Sequence, residues 1–259
     1  MATGSGTTKI KVWDAPVRIF HWTFVVLILA AWFTGEWRGE RFPIHAYIGY
    51  AAGIVLFFRV IWGFVGSSYA RFSDFVYSPG KTLKYALEVM KAAPSRYVGH
   101  NPLGGWMIML MIVVIGVTIV SGILGPIDHD MEEIHEFLGE NIILILVGLH
   151  ILGVIVDSIM TKENLARAMV TGEKPAELYE GSPKNYTGGG AKRALVVLLV
   201  ALVVGIGGAI AIDFKGIVSL ERDRQVEFFK QYQARKAAEE AAAKAGAEQP
   251  APAAPETGE

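Results

Sequence analysis

The chain has 259 residues, of which 52% are hydrophobic, and its mean hydropathy is +0.38. A soluble domain of this size rarely has so apolar a composition, so the sequence predicts an integral membrane protein. It contains no cysteine, which excludes disulfides, thiolate-held iron–sulfur clusters and the thioether attachment of a c-type haem. The net charge of −1 is uninformative as a total, and no feature indicates nucleic-acid binding.

Five apolar runs are each long enough to cross a bilayer as a helix, which takes about 20 residues. They cover residues 16–34, 43–66, 103–125, 133–158 and 192–213. The first run has a cleaved signal peptide as its alternative, because basic residues precede its apolar core. Its bulky aromatic residues and the lack of a clear small-x-small cleavage site favour a transmembrane helix. We therefore expect an all-α membrane protein with a four-helix transmembrane bundle and a fifth C-terminal helix.

The basic residues of the loops predict the orientation of the chain. They are concentrated before the first run, between the second and third runs, and after the fourth run. The two opposite loops together hold only Arg38 and Arg41 among basic residues. By the positive-inside rule, the N-terminus lies in the cytoplasm and the C-terminus outside.

Two of the basic loops predict short helices that lie on the cytoplasmic membrane surface. Residues 78–94 place Leu83, Leu87 and Met90 on one helix face, and residues 161–175 repeat the pattern. The apolar residues of this second segment are Leu165, Ala168 and Met169. A solvated connector is the alternative for each segment.

Four of the six histidines lie in or at the ends of the predicted spans: His21, His45, His135 and His150. Because successive spans alternate in direction, His21 and His150 fall near the cytoplasmic side, and His45 and His135 near the outer side. His135 and His150 are separated by about 22 Å along an α-helix and by about 60° around it. One face of the fourth span therefore offers a ligand at each level.

Two imidazoles at one level, from two facing helices, are the axial ligands that a six-coordinate haem iron needs in a four-helix bundle. The pairs His45 with His135 and His21 with His150 predict an outer and an inner haem b. For any single histidine, a hydrogen bond inside the bundle is the alternative. The agreement of four histidines by depth favours haem, and the distance between the levels excludes a shared tetrahedral zinc ion.

Two arginines are candidates to hold the haem propionates. Arg18 is three residues before His21, and Arg59 falls near the inner haem level of the second span. An arginine in hydrocarbon needs a partner, and lipid phosphate reached by snorkelling is the alternative to a propionate. Five tryptophans near the helix ends are expected to be interface anchors, namely Trp22, Trp32, Trp37, Trp62 and Trp106.

The segments "WDAPVRIFHW", "HAYIGYAAGIVLFFRVIWGFVGS", "YVGHNPLGGWM" and "EEIHEFLGENIILILVGLH" resemble the bacterial cytochrome b561 family, in the branch with the cytochrome b subunit of nickel–iron hydrogenases. The resemblance covers about residues 10–175. It implies a four-helix core with two haem b groups on the four paired histidines, exchanging electrons with the quinone pool. It also suggests a role near the inner haem for His100, with an N-capping or interfacial histidine as the alternative.

The chain departs from the family pattern after about residue 185, which weakens a specific hydrogenase assignment. The expected organisation is a cytoplasmic N-terminal segment (1–15), the di-haem core (16–175), a cytoplasmic linker (176–191), a fifth transmembrane helix (192–213), a periplasmic helical extension (214–245) and a disordered Ala/Pro tail (246–259). We expect the outer tail to dock a partner, with a solvated spacer as the alternative.

The leading functional hypothesis is an electron-transfer subunit of an oxidoreductase complex in the bacterial inner membrane. It would connect quinone with a periplasmic redox protein, which is a c-type cytochrome, a dehydrogenase or a hydrogenase subunit. One alternative is a self-sufficient superoxide:quinone oxidoreductase, although the acidic outer turn at residues 128–133 argues against attraction of an anion. Another is a non-redox transport or assembly protein, which would be colourless when purified.

Overall fold

The computed structural model describes residues 8–37, 39–180, 182–213 and 216–247. Five helical stretches in these ranges are long and apolar enough to cross a membrane: Ala15–Thr34, Gly39–Val65, Pro102–Ile127, His129–Thr161 and Ala191–Ile212. The five predicted spans and the all-α membrane fold are thereby confirmed. Residues 1–7 of the predicted N-terminal segment and residues 248–259 of the predicted tail lie outside the described residues.

The elements follow in chain order and are mostly helical. They are β1 (Lys9–Lys11), α1 (Ala15–Thr34), α2 (Phe42–Val65), α3 (Phe72–Phe75), α4 (Pro79–Met90), α5 (Pro102–Leu124), α6 (His129–Phe137), α7 (Ile143–Thr161), α8 (Leu165–Thr171), β2 (Glu173–Pro175), α9 (Ala191–Asp213) and α10 (Ile217–Ala247). Side-chain caps set the starts of α1 and α5. Asp14 accepts a hydrogen bond from the Val17 N–H, Asn101 accepts one from the Gly104 N–H, and proline stands in the first turn of both helices.

The central helix of the bundle is α2, which packs against α1, α5 and α9. The fifth span is therefore part of the bundle, and Ala201 of α9 is completely buried. Gly205 of α9 faces Ile54 of α2 so closely that an added Cβ would collide with the Ile54 side chain. We call the end at which α1 begins the inner end and the opposite end the outer end.

The fourth span is not one regular α-helix. A π-helical segment, Leu138–Ile142, lies between α6 and α7. Because a π turn holds more residues than an α turn, it changes the rotation between His135 and His150. The predicted offset of about 60° assumes an uninterrupted α-helix, which this span is not.

A structure that the sequence did not predict joins the start of the chain to the end of the fourth-span region. Strand β1 pairs antiparallel with β2, so that Ile10 lies opposite Lys174. The backbone N–H groups of Val12 and Trp13 donate to the Gly172 carbonyl. We call this arrangement, residues 8–13 with residues 170–177, the clamp.

The two predicted surface helices are present but differ in their environment. Helix α4 keeps Leu83, Leu87 and Met90 exposed, as expected of a face directed at the membrane surface. Helix α8 instead buries Ala168 in a cluster of apolar residues, with Met169 packed against it. The expectation that its apolar residues lie on the membrane surface is therefore wrong, because this face packs against the protein.

Helix α10 lies across the outer end of the bundle. The Gly39 N–H donates to Gln225 Oε1 at 3.0 Å, and Arg224 Nη2 lies 3.9 Å from Glu132 Oε2. Val218 and Glu221 are buried in this contact. Farther along the helix, residues 228–242 are exposed.

Candidate functional site

The outer pair of histidines meets between α2 and α6. The ring centroids of His45 and His135 are 5.9 Å apart, and the ring planes are inclined at 78°. His135 Nδ1 lies 2.7 Å from the Thr118 carbonyl, and His45 Nδ1 lies 3.0 Å from the Ala31 carbonyl. Both rings are therefore oriented by hydrogen bonds from Nδ1 to the backbone of a neighbouring helix.

This hydrogen-bond pattern is the one found in metal-bound histidines. A ligating imidazole usually donates one ring N–H to a carbonyl or carboxylate, which fixes the tautomer and turns the other nitrogen to the metal. Thr34 Oγ1 also lies 3.1 Å from His45 Nδ1. The two rings fit the axial ligands of one haem iron.

The imidazole of His135 packs directly against the backbone of α5, because the residue of α5 that faces it is a glycine. A Cβ added to Gly122 of α5 would lie 2.6 Å from both Cε1 and Nδ1 of His135. Any larger residue would therefore displace the ring. The sequence alone does not identify this glycine, because its role depends on the packing of α5 against α6.

The inner pair lies at the other end of the bundle. The side chains of His21 on α1 and His150 on α7 are close enough to interact electrostatically. Both are half-buried, and no ring-to-ring contact joins them within the described ranges. The inner site is thus less closed than the outer one, but the predicted partners are near each other.

His100 lies beside the inner pair and is packed between aromatic rings. Its ring centroid is 4.5 Å from that of Trp13 and 4.6 Å from that of Phe75. Burial, together with the nearby charges of Arg59 and Lys174, lowers the pKa of His100 to about 3. Its Nδ1 is buried and lacks a hydrogen-bond partner among the described residues. A neutral imidazole with an unused nitrogen therefore faces the interior near His21 and His150.

Arg59 is a buried cation that forms no direct ion pair in the described ranges, although the charge of Asp14 acts on it from a distance. The residue is 3% exposed, and its Nη1 has no hydrogen-bond partner there. The guanidinium lies 5.3 Å from the ring centroid of Phe72 and 5.8 Å from that of Phe75. A buried guanidinium is costly unless it is paired, so the site fits an anionic group such as a haem propionate.

Arg18 is held differently. Its Nη1 donates to the Val170 carbonyl at 2.6 Å, whereas its Nε is buried and lacks a partner among the described residues. The side chain therefore reaches the clamp at the inner end. This contact anchors the start of α1 but leaves one nitrogen for a bound anion.

A second group of buried polar residues at the inner end was not predicted. Glu163 and Lys174 form an ion pair of 3.1 Å, with both side chains 4% exposed. The Tyr179 hydroxyl donates to Glu163, and the Lys174 ammonium donates to the Tyr97 carbonyl. In the sequence, Glu163 and Lys174 are typical of solvated loop residues. Their burial becomes visible only in the folded structure.

Asp157 connects three elements at the same end. It accepts hydrogen bonds from the Tyr85 hydroxyl of α4 at 2.9 Å and from the Asn101 side chain at 3.0 Å. No group of three or more His, Asp or Glu side chains within the described ranges could hold a bare metal ion.

The chain matches the family described as prokaryotic cytochrome b561 over residues 12–172. It is also similar to proteins named probable Ni/Fe-hydrogenase B-type cytochrome subunit. The relative from Rhizobium leguminosarum bv. viciae is 28% identical over 212 residues, which are 64% of this chain and 89% of the relative. The relative from Azotobacter vinelandii is 25% identical over 225 residues, covering 66% and 93%. No solved structure gives a significant match.

A relative from Escherichia coli strain K12 is named probable Ni/Fe-hydrogenase 1 B-type cytochrome subunit. It is 25% identical over 209 residues, which are 62% of this chain and 88% of the relative. The matched family region ends at residue 172, within the clamp. The fifth span and α10 therefore lie beyond the part that the family shares.

Proposed function

The chain belongs to the prokaryotic cytochrome b561 family. From that membership we propose that it binds two haem b groups and carries electrons from one side of the membrane to the other. His45 and His135 are the proposed axial ligands of the outer haem, and His21 and His150 those of the inner haem. A bound haem supplies one-electron redox chemistry at its iron. The residues of the chain hold, orient and insulate the two groups.

The observation that carries this proposal is the outer histidine pair. Its two rings face each other, each is fixed through Nδ1 to a backbone carbonyl, and Gly122 leaves room beside one of them. An isolated core histidine would satisfy its nitrogens without needing a second ring at the same level. At the inner level, Arg59, Arg18 and His100 each keep a buried nitrogen unpaired in the described ranges. These nitrogens would bind the propionates of the inner haem.

We assign the redox partner to the outer end and quinone to the inner end of the bundle. The relatives named above are hydrogenase cytochrome subunits, which supports a hydrogenase-type partner. The basic loops support an inner end in the cytoplasm, so the proposed partner is periplasmic and the proposed membrane is the bacterial inner membrane. The outer turn carries Asp130, Glu132 and Glu133, which would repel superoxide and do not favour the alternative oxidoreductase.

Haem content and histidine variants test the proposal. The purified full chain is expected to show a b-type spectrum after dithionite reduction and two haems per chain. His150→Ala should remove the inner haem and leave the outer one, while His45→Ala should do the reverse, because each haem loses one axial ligand. His129→Ala is the matched control, since His129 is exposed on α6. A folded, colourless protein, or the loss of one and the same haem in both variants, would contradict the proposal.

Co-purification in mild detergent tests the partner. We expect a periplasmic redox protein, such as a hydrogenase subunit, to be recovered with the full chain, and electrons from it to reduce both haems and then quinone. Recovery of cytoplasmic proteins alone, with no periplasmic redox protein, would contradict the proposal that the redox partner binds at the outer end.

A further inference from the structure

A groove between α2 and α9 at the inner end is not used by the haem sites. It is an open groove with a volume of about 590 Å³. The residues that line it are Ile61, Phe64, Val65, Arg71, Arg193, Val196, Val197 and Val200. Its lining combines an apolar wall with two arginines.

The apolar wall opens sideways, away from the bundle. Phe64 is 69% exposed, Val196 is 59% exposed and Val200 is 44% exposed, whereas Val197 is buried at the back of the groove. Both α2 and α9 belong to spans that are long enough to cross the membrane. The medium beside these exposed side chains is therefore lipid, and an acyl chain is the occupant that matches the wall.

The two arginines stand where α2 ends and α9 begins, at the depth of the lipid headgroups. Arg193 Nη1 donates to the Val65 carbonyl at 2.9 Å, and Arg71 Nε donates to Asp74 Oδ2 at 2.9 Å. A guanidinium has five N–H donors, so each arginine keeps further donors beyond its one hydrogen bond in the described ranges. Asp74 offsets one of the two positive charges, which leaves a net positive groove mouth.

We propose that this groove binds one anionic phospholipid of the inner-end leaflet. The phosphate accepts hydrogen bonds from Arg71 and Arg193, and an acyl chain lies against Phe64, Val196 and Val200. Arginine binds phosphate through paired N–H groups, and basic pockets between transmembrane helices bind acidic headgroups. A neutral quinone would fill the apolar wall but leave the guanidinium of Arg193, which makes no ion pair in the described ranges, without an anion. Arg193, Val196 and Val200 belong to the fifth span, beyond the matched family region, and Arg71 and Phe64 lie within that region. The site does not depend on the proposed redox function.

Native mass spectrometry of the haem-loaded full chain in detergent tests this site. The probes are phosphatidylglycerol and phosphatidylcholine with identical acyl chains. The protein should retain one phosphatidylglycerol more tightly than phosphatidylcholine. The double variant Arg71→Gln/Arg193→Gln should weaken phosphatidylglycerol binding by roughly fivefold for each arginine, and leave phosphatidylcholine binding unchanged.

Two further variants keep the test independent of folding. Arg167→Gln, an exposed cation of α8 outside the groove, is the matched charge control and should change neither affinity. Val200→Trp fills the groove without altering charge and should lower binding of both lipids, with the haem spectrum reporting an intact bundle. Equal affinity for the two lipids in the unmodified protein would overturn the proposal. So would unchanged phosphatidylglycerol binding in the double variant, displacement of the lipid by free glycerol phosphate, or retention of a quinone that Val200→Trp releases.

Discussion

At the scale of single residues, the ring of His135 is positioned from two sides. The Thr118 carbonyl fixes Nδ1 at 2.7 Å, and Gly122 provides the space that the ring occupies. Both contacts come from α5, so this helix orients the proposed ligand without supplying one itself. Partners of this kind commonly change metal affinity by about 10- to 100-fold when they are altered.

Gly122→Ala is expected to reduce occupancy of the outer haem about tenfold, while the inner haem stays bound. The added Cβ would lie 2.6 Å from the His135 ring, so the ring must move away from its ligating position. Gly116→Ala on the same helix is the control, because its Cβ would meet only Leu56, at 3.8 Å. The measurement is the haem content of each purified variant. Equal occupancy in both variants would show that Gly122 does not position the ligand.

Lys174→Met should destabilise the protein by about 3–5 kcal/mol, because it leaves the Glu163 carboxylate buried without its counter-ion. Burial lowers the pKa of Lys174, and the adjacent Glu163 opposes that shift. Lys9→Met is the matched control, since the Lys9–Glu173 pair of the same clamp is exposed and contributes at most about 1 kcal/mol. Denaturant titration in detergent micelles gives both free energies of unfolding. Equal losses of unfolding free energy in the two variants would show that the buried ion pair contributes no more to stability than the exposed one.

At the scale of elements, the spans were predictable and their contacts were not. Apolar length alone locates five helices, because each must satisfy its backbone within hydrocarbon. The clamp has strands of three residues and pairs distant segments, so no local alternation predicts it. Trp62 resembles an interface anchor in sequence, yet it is fully buried and donates to Asp14 at 3.0 Å. The histidine pairs followed from depth, whereas Gly122 and Asp157 required packing.

Tyr85→Phe should change how stability depends on alkaline pH. Burial and the neighbouring Asp157 raise the pKa of Tyr85 above its usual value of 10.0. Above pH 10 the unfolded chain therefore loses this proton while the folded protein keeps it, so stability falls by about 1.4 kcal/mol per pH unit. The variant loses the hydrogen bond that joins α4 to α7, at a cost of about 1–3 kcal/mol near neutral pH, but it also loses this slope.

The check on Tyr85→Phe is the difference in unfolding free energy between unmodified protein and variant from pH 8 to 11. That difference should shrink once the pH exceeds 10. Tyr232→Phe, at an exposed position of α10, is the control and should leave the pH profile unchanged. A constant difference across the range would show that Tyr85 has the same pKa in the folded and unfolded states.

At the scale of the whole molecule, α10 extends one helix face from the bundle into solvent. Val218 and Glu221 on this face are buried, and Gln225 accepts from Gly39. The next turns of the same face present Phe228 and Tyr232, exposed by 71% and 53%. Aromatic side chains in such a position are typical anchors of a protein interface, so we propose that this helix shares the docking role expected of the outer tail.

The double variant Phe228→Ala/Tyr232→Ala should slow electron transfer from the proposed periplasmic partner by about tenfold or more, because it removes both exposed aromatic side chains of this face. Both haems and the stability should be retained, because these side chains are exposed. Leu220→Ala is the control, since Leu220 is equally exposed on another face of α10. Stopped-flow reduction of the haems by the partner measures the rate. An unchanged rate would show that the extension is a spacer and does not bind the partner.

The clamp also dictates an order of events during synthesis. Residues 9–11 leave the ribosome first, but their strand partner, Glu173–Pro175, exists only after four spans have been made. Helix α1 is therefore made before β1, which directly precedes it, can pair with β2. A chain interrupted before residue 173 would contain all four proposed haem ligands and still lack the strand that fastens α1. The strand pairing of the clamp can therefore form only after the four spans that carry the proposed haem ligands have been made.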